Sequence, residues 1–284
     1  MKRCGAVLVL GVLGTGLATG ERAQTGTTAT LDPVALVRRA VQHRLDAEKS
    51  HRPMRYLLLK RDGQRETTKE IIETKDGDVA RLIAIDGKPL STMSDRAELN
   101  RLDTLAAFPE LQERRHKSEL KDAARVDHLM SQLPESELYQ MEGIVPCDAG
   151  RCYRLSFKPN PRFVPPDIES DLLRGFVGEV WIDQAQERLT RLDAHVVANI
   201  DFGFGILGKV NKGGTVVMKQ TDVGGNDWEL TGLKLKLTGR ALMVKALNIQ
   251  IDEETSHYSP VAPGIGYRDA IQMLKRPETV EPLR

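Results

Sequence analysis

Paired turn signals between short apolar runs constrain the fold of this chain more than any other feature. Three Asp-Gly pairs, Asp62-Gly63, Asp76-Gly77 and Asp86-Gly87, separate or end strand-like runs. Asp-Gly favours tight hairpins because both residues accept a positive φ. The segment therefore predicts three consecutive antiparallel strands, at 54–60, 66–74 and 79–86.

The second half of the chain shows the alternation that is typical of half-buried strands. Apolar and polar residues alternate around Leu233, Leu235 and Leu237, and again around Leu247, Ile249 and Ile251. A period of two predicts strands with one buried face and one wet face. Further strands are expected at 138–145, 153–158, 178–183, 189–200, 215–222, 228–238 and 242–254. No strand–helix–strand alternation occurs, which argues against a parallel sheet.

Helical patterns are fewer. Asp32-Pro33 is a helix start with an Asp N-cap and Pro in the first turn, and an apolar stripe continues to about Lys49. The densely charged stretch 91–133 predicts two helical pieces that break near Pro109. A short helix is expected at 167–174 and a last one at 267–275.

Together these patterns predict an α+β fold. We expect a large curved antiparallel half-barrel of about ten to eleven strands, with helices packed on its concave face. It forms a single domain over residues 32–284, with a charged helical insertion at about 91–133.

The first twenty residues have the layout of a secretory signal peptide. Lys2 and Arg3 precede an apolar run of about a dozen residues, which is too short to span a bilayer. Cys4 precedes this run, whereas a lipidated cysteine would follow it. We therefore expect a cleaved signal peptide at 1–20, a flexible leader at 21–31, and a periplasmic protein that is not a lipoprotein.

Cys147 and Cys152 enclose four residues between two strand-like runs, a spacing that predicts the tip of a β-hairpin. In an oxidising compartment the two cysteines can close a structural disulfide. Two free thiols are the alternative. Redox activity is disfavoured because that motif has two intervening residues.

Composition excludes several functions. The chain has 284 residues, with 41 basic and 40 acidic side chains, and this balance argues against nucleic-acid binding. Six histidines without metal-ligand spacing predict no metal site, and no cofactor is expected. No motif for a nucleophile with its base is present, so we expect a protein that is not an enzyme. A catalytic site dispersed along the sequence is the remaining alternative.

Residues 203–208 match G-x-G-x-x-G but precede a β-rich segment instead of a helix. A dinucleotide site needs that helix to receive the pyrophosphate. A loop at the rim of the sheet fits better, and its residues Phe204, Ile206 and Leu207 are a candidate contact with a membrane or a partner.

A curved sheet with helices in its concavity can hold an apolar ligand. On alternation alone, the candidate groove residues are Leu58, Ile72, Val180, Ile182, Leu235, Leu237, Leu247 and Ile249. The same residues are equally compatible with a filled core.

The opening helix, the strand meander and the run Gly178–Asp183 with Leu189–Leu192 resemble the outer-membrane lipoprotein-sorting superfamily, whose relatives include the carriers LolA and LolB and the regulator RseB. The resemblance covers residues 33 to about 258 and implies a half-barrel with an apolar cavity for lipid. It carries no single functional residue over to this chain, and the insertion at 91–133 departs from a compact carrier.

The expected function is that of a periplasmic lipid or lipoprotein carrier, acting as a monomer on a lipid or an acylated lipoprotein. The alternative is an interaction or envelope-sensor module on the same scaffold, whose partners would be envelope membrane proteins.

Overall fold

The computed structural model of the protein describes residues 31–202, 208–241 and 245–276. The signal peptide expected at 1–20 and the leader expected at 21–31, apart from its last residue, lie outside this range.

One antiparallel sheet dominates the fold; it is curved and open and has 13 strands within the described ranges. The strands are β1 (Met54–Asp62), β2 (Arg65–Ile72), β3 (Val79–Ile85), β4 (Lys88–Pro89), β5 (Glu137–Cys147), β6 (Gly150–Pro159), β7 (Phe176–Asp183), β8 (Leu189–Val196), β9 (Ile200–Phe202), β10 (Gly208–Val210), β11 (Thr215–Asp222), β12 (Trp228–Ala241) and β13 (Lys245–Pro260). Eleven strands follow the order β4-β3-β2-β1-β13-β12-β11-β8-β7-β6-β5, and β9 and β10 extend the sheet beside β12.

The α+β class is confirmed, but the expected strand number was too low. Strand β4 has two residues, and β9 and β10 have three each. Such runs are too short to show alternation. The run expected as one strand over 189–200 is interrupted, because β8 ends at Val196 and β9 begins at Ile200.

The three Asp-Gly pairs differ: Gly63 and Gly77 have positive φ without their Asp neighbours, and only the third pair has positive φ at both residues. Asp86 and Gly87 both have positive φ, 50° and 70°, and join β3 to β4. This is the conformation that a two-residue hairpin turn needs.

Over the described residues, four α-helices and one short 3-10 helix accompany the sheet. They are α1 (Pro33–Lys49), α2 (Thr92–Ala107), α3 (Pro109–Ser136), the 3-10 helix Ser170–Gly175, and α4 (Tyr267–Lys275). The Asp32 side chain caps α1 by accepting a hydrogen bond from the Val34 amide at 3.0 Å. The expected break near Pro109 separates α2 from α3, and Pro109 is the first residue of α3, where its missing amide proton costs no helical hydrogen bond.

Helix α1 packs across strands β6, β7 and β8. Its buried residues Leu36, Val37, Ala40 and Val41 contact a sheet cluster that contains Leu155, Val180, Ile182 and Leu189. We call the surface of the sheet that carries Val180 and Ile182 the α1 face. Helix α3 lies beside α1 and adds Met130 to this cluster.

Helices α2 and α4 cover the opposite face of the sheet, at strands β2 and β3. There Ile72 and Val79 form a second cluster with residues of both helices, which are Leu102, Leu105, Tyr267, Ala270, Ile271 and Leu274. The expectation that the helices all pack on one face was therefore wrong. Sequence periodicity identifies the apolar side of a helix but not the side of the sheet on which it lies.

Candidate ligand-binding site

Pairing between strands shows which side chains share the α1 face. Directly paired residues point to the same face, and successive residues alternate. Val180 pairs with Leu192, Leu192 with Met218, and Met218 with Leu233. The α1 face therefore continues from β7 across β8 and β11 to β12.

This face bears a set of half-buried apolar residues over β11, β12 and β13. Val216 pairs with Leu235, and Leu235 pairs with Ile251, so that apolar side chains stand side by side across three strands. We call the set the apolar ladder, and its members are Val216, Met218, Leu233, Leu235, Leu247, Ile249 and Ile251. All seven are partly accessible to solvent, whereas Val180 and Ile182 beneath α1 are 2% and 0% exposed. Leu58 lies on the same face but outside the ladder, because it pairs with Thr255 beside the ion pair of Lys60 with Glu253.

The candidate groove residues do not all lie together. Val180 and Ile182 belong to the filled core beneath α1. Leu235, Leu247 and Ile249 belong to the ladder and pack around the buried Leu237, in a cluster that also includes Phe176 and Phe202.

Leu58 and Ile72 lie on different faces of the sheet. Ile72 pairs with Arg55, and β1 runs without a bulge against β2 from Arg55 to Asp62. Leu58 is three residues beyond Arg55, so the two side chains point in opposite directions. Ile72 is buried under α2 and α4 and takes no part in the ladder.

A polar cleft lies at one end of the ladder, between the second half of α1 and the β11–β12 hairpin. Its volume is about 600 Å³, and its walls carry both charged and apolar side chains. Leu230 and Gln220, which pair across β12 and β11 beyond the ladder residues Leu233 and Met218, line this cleft. Trp228 also lines it and donates a hydrogen bond from Nε1 to Gln186 Oε1 at 2.8 Å.

His51 follows the end of α1 and bridges two acidic residues, Glu73 and Glu229. Its Nδ1 lies 3.4 Å from Glu229 Oε1, and its Nε2 lies 2.7 Å from Glu73 Oε2. Hydrogen bonds to Glu229 and Glu73 stabilise the imidazolium and raise the pKa of His51 to about 10. His51 is therefore a permanent cation at neutral pH.

A second cleft of about 510 Å³ shares Glu48 and His51 with the first and is bounded by α3. Asp78 lines this cleft. Burial, together with the nearby carboxylates of Glu73 and Glu119, raises the pKa of Asp78 to about 7. Tyr56 stacks on Tyr258 with 5.0 Å between ring centroids, and burial raises the pKa of Tyr56.

Sequence reasoning missed these clefts. His51, Glu73 and Glu229 come from three distant parts of the chain, and no spacing connects them. Within the ranges the structure describes, no group of three or more His, Cys, Asp or Glu is placed to hold a metal ion. No helix of the described residues is long and apolar enough to cross a membrane.

The remaining sequence predictions concern the disulfide and the apolar loop. Cys147 and Cys152 form a disulfide, with Cα atoms 5.9 Å apart, at the tip of the β5–β6 hairpin. The structural disulfide is thus confirmed over free thiols. Phe204, Ile206 and Leu207 lie outside the described residues.

No family model and no curated protein matches the chain. Among solved structures, it is similar to the crystal structure of a DUF1329 family protein from Desulfovibrio piger, with 11% sequence identity and a TM-score of 0.31. This similarity covers 85% of the chain and 100% of the other protein. A similarity at this level supports no conclusion about function.

Proposed function

We propose that the protein is a non-enzymatic periplasmic carrier that binds a lipid or an acylated lipoprotein through its acyl chain. The observation that carries the proposal is the apolar ladder. Seven half-buried apolar residues of β11, β12 and β13 adjoin one another on a face whose neighbouring strands are already covered by α1. The resemblance of the sequence to the lipoprotein-sorting superfamily agrees with this function.

The ladder suits an acyl chain, because an acyl chain binds by burying apolar surface and needs no directional contact. Each methylene removed from water contributes about 0.8 kcal/mol. Six methylenes laid along β12 and β13 would therefore contribute roughly 5 kcal/mol before the cost of association.

The polar cleft suits the other end of such a ligand. It continues from the ladder at Leu230 and Gln220, and its lining includes charged residues of both signs, the basic Arg44 and Arg188 and the acidic Asp46, Glu48, Asp227 and Glu229. An amphiphile can thus place its chain on the ladder and its polar group in the cleft. This arrangement supports a lipid more than a purely apolar ligand.

Adjacent valines on β11 provide a matched test. Val216 belongs to the ladder, whereas Val217 pairs with Lys234 and Asp193 on the opposite face, and both are half-buried. Val216→Asn should weaken binding of a fluorescent fatty acid about tenfold, because it places an amide against the chain. Val217→Asn should bind like the wild type. Equal affinity of both variants, with retained fold, would count against the ladder.

The alternative function, an interaction or sensor module, has one observation in its favour. Leu120 and Val126 on the charged helix α3 are 56% and 45% exposed, which leaves apolar side chains available to a protein partner. If this function holds, the wild type should capture an envelope protein and bind fatty acid only weakly. The double variant Leu120→Ser/Val126→Ser should then lose the capture of that protein.

A further inference from the structure

The charges that line the polar cleft beside the ladder are matched except at one side chain. Each of the four acidic residues that line it within the described ranges forms an ion pair. The pairs are Asp46–Lys49, Glu48–Arg44, Asp227–Arg52 and Glu229–His51. Arg188 also lines the cleft, but it forms no ion pair with any residue that the structure describes.

The other cations of the lining are already engaged. Arg44 is shared between Glu48 and Asp127, at 3.3 Å from each. His51 bridges two carboxylates in the same way. A cation that is shared by two carboxylates attracts a further anion only weakly, because their charges oppose it. Arg188 is therefore the cation of this cleft that is available to an anionic ligand.

Arg188 is held in place by the turn between β7 and β8 and by α1. Its Nη1 donates a hydrogen bond to the carbonyl oxygen of His43 in α1, and its own carbonyl oxygen accepts one from the Asp183 amide at 2.8 Å. Asp183 Oδ2 fixes the turn, because it accepts hydrogen bonds from the amides of Ala185 and Gln186 at 3.0 Å and 2.7 Å. The remaining N–H donors of the guanidinium have no partner among the described residues. A cation fixed in this way needs little ordering when a ligand binds.

We propose that Arg188 binds the anionic group, a carboxylate or a phosphate, of an amphiphile whose chain lies on the ladder. The inference rests on the proposed carrier function and names the polar end of its ligand. The N–H groups of a guanidinium form a planar fork that matches two oxygens of a carboxylate or a phosphate. Leu230 and Gln220, where the ladder continues into the cleft, line the same cleft as Arg188. A cationic end group is disfavoured, because every acidic residue of the lining already has a cationic partner.

Isothermal titration calorimetry with three amphiphiles of equal acyl or alkyl chain length tests the role of Arg188. The probes are dodecanoate, dodecyl phosphate and the neutral dodecanoylglycerol. The wild type should bind at least one of the two anions about tenfold or more tightly than the neutral probe, because hydrogen bonds to a charged group are stronger than neutral ones. The anion that binds more tightly identifies a fatty acid or a phospholipid as the source of the group.

Two substitutions of Arg188 separate its charge from its shape. Arg188→Gln should bind the anions no more tightly than the neutral probe. Arg188→Lys keeps the charge without the planar fork and should keep part of the preference for anions. The neutral probe should bind the wild type and both variants alike, which also reports that the ladder is intact.

A matched control uses Arg191 in β8, which pairs with Asp193 and lies over the Trp181 ring on the face opposite the ladder. Arg191→Gln removes the same charge and should keep the preference of the wild type for anions. The inference is overturned if the wild type binds all three probes equally, if Arg188→Gln keeps the preference, or if Arg191→Gln loses it to the same extent. Equal binding of the three probes leaves the carrier function standing, whereas a wild type that binds none of them overturns the carrier function as well.

Discussion

Glu137 is expected to make the stability of the protein fall as pH rises. Its side chain is 2% exposed, its Oε2 has no hydrogen-bond partner, and burial raises its pKa to about 9 from 4.5. Between these two values the folded state holds a proton that the unfolded state has lost. The contribution of Glu137 to stability is therefore greatest below pH 4.5 and declines up to pH 9.

The magnitude follows from the same two values. At pH 7 the solution lies 2.5 pH units above the unfolded pKa, and each unit corresponds to about 1.36 kcal/mol, so the penalty is about 3 kcal/mol. Glu137→Gln keeps the shape of the neutral acid and carries no proton to lose. Relative to the wild type, the variant should gain about 3 kcal/mol of unfolding free energy between pH 4.5 and pH 7.

Urea unfolding at these two pH values, followed by tryptophan fluorescence, measures the gain. Glu113→Gln, at an exposed position of α3, is the control and should follow the wild type at both pH values. If Glu137→Gln keeps the pH dependence of the wild type, the reasoning about this buried carboxyl is refuted.

Two further predictions concern the cleft and the hairpin tip. The imidazole of His51 should stay protonated at pH 8. The Glu229→Gln variant should have a lower His51 pKa, because the hydrogen bond to Glu229 raises that pKa most. An NMR titration that finds His51 neutral at pH 8 in the wild type would contradict this prediction. Replacing Cys147 and Cys152 with Ser should lower the unfolding free energy by about 2 kcal/mol, because a short loop loses its cross-link in the unfolded state; calorimetry that shows no change would mean that the cross-link does not constrain the unfolded chain.

Local chemistry predicted most of the regular structure. Asp32-Pro33 marked the start of α1, Asp86-Gly87 a hairpin turn, and Pro109 the break between two helices. These signals work because a capping side chain, a positive φ or a missing amide proton acts within a few residues. The disulfide was predictable for the same reason.

The faces of the sheet were not predictable in the same way. Alternation selected both Leu58 and Ile72, but the register of β1 with β2 places them on opposite faces. Whether an apolar strand residue lies under a helix or stays accessible depends on long-range packing, which separates Val180 from Leu235. The cleft around His51 depends on the whole fold, since its partners lie 22 and 178 residues further along the chain.

Native mass spectrometry of the protein, purified from a periplasmic extract without detergent, tests the central claim most directly. We predict excess mass that matches a phospholipid or an acyl chain, and that a smaller fraction of Val216→Asn than of Val217→Asn carries this mass. A wild-type protein that shows only the mass of its polypeptide, and that takes up no lipid when lipid is added, would contradict the carrier function.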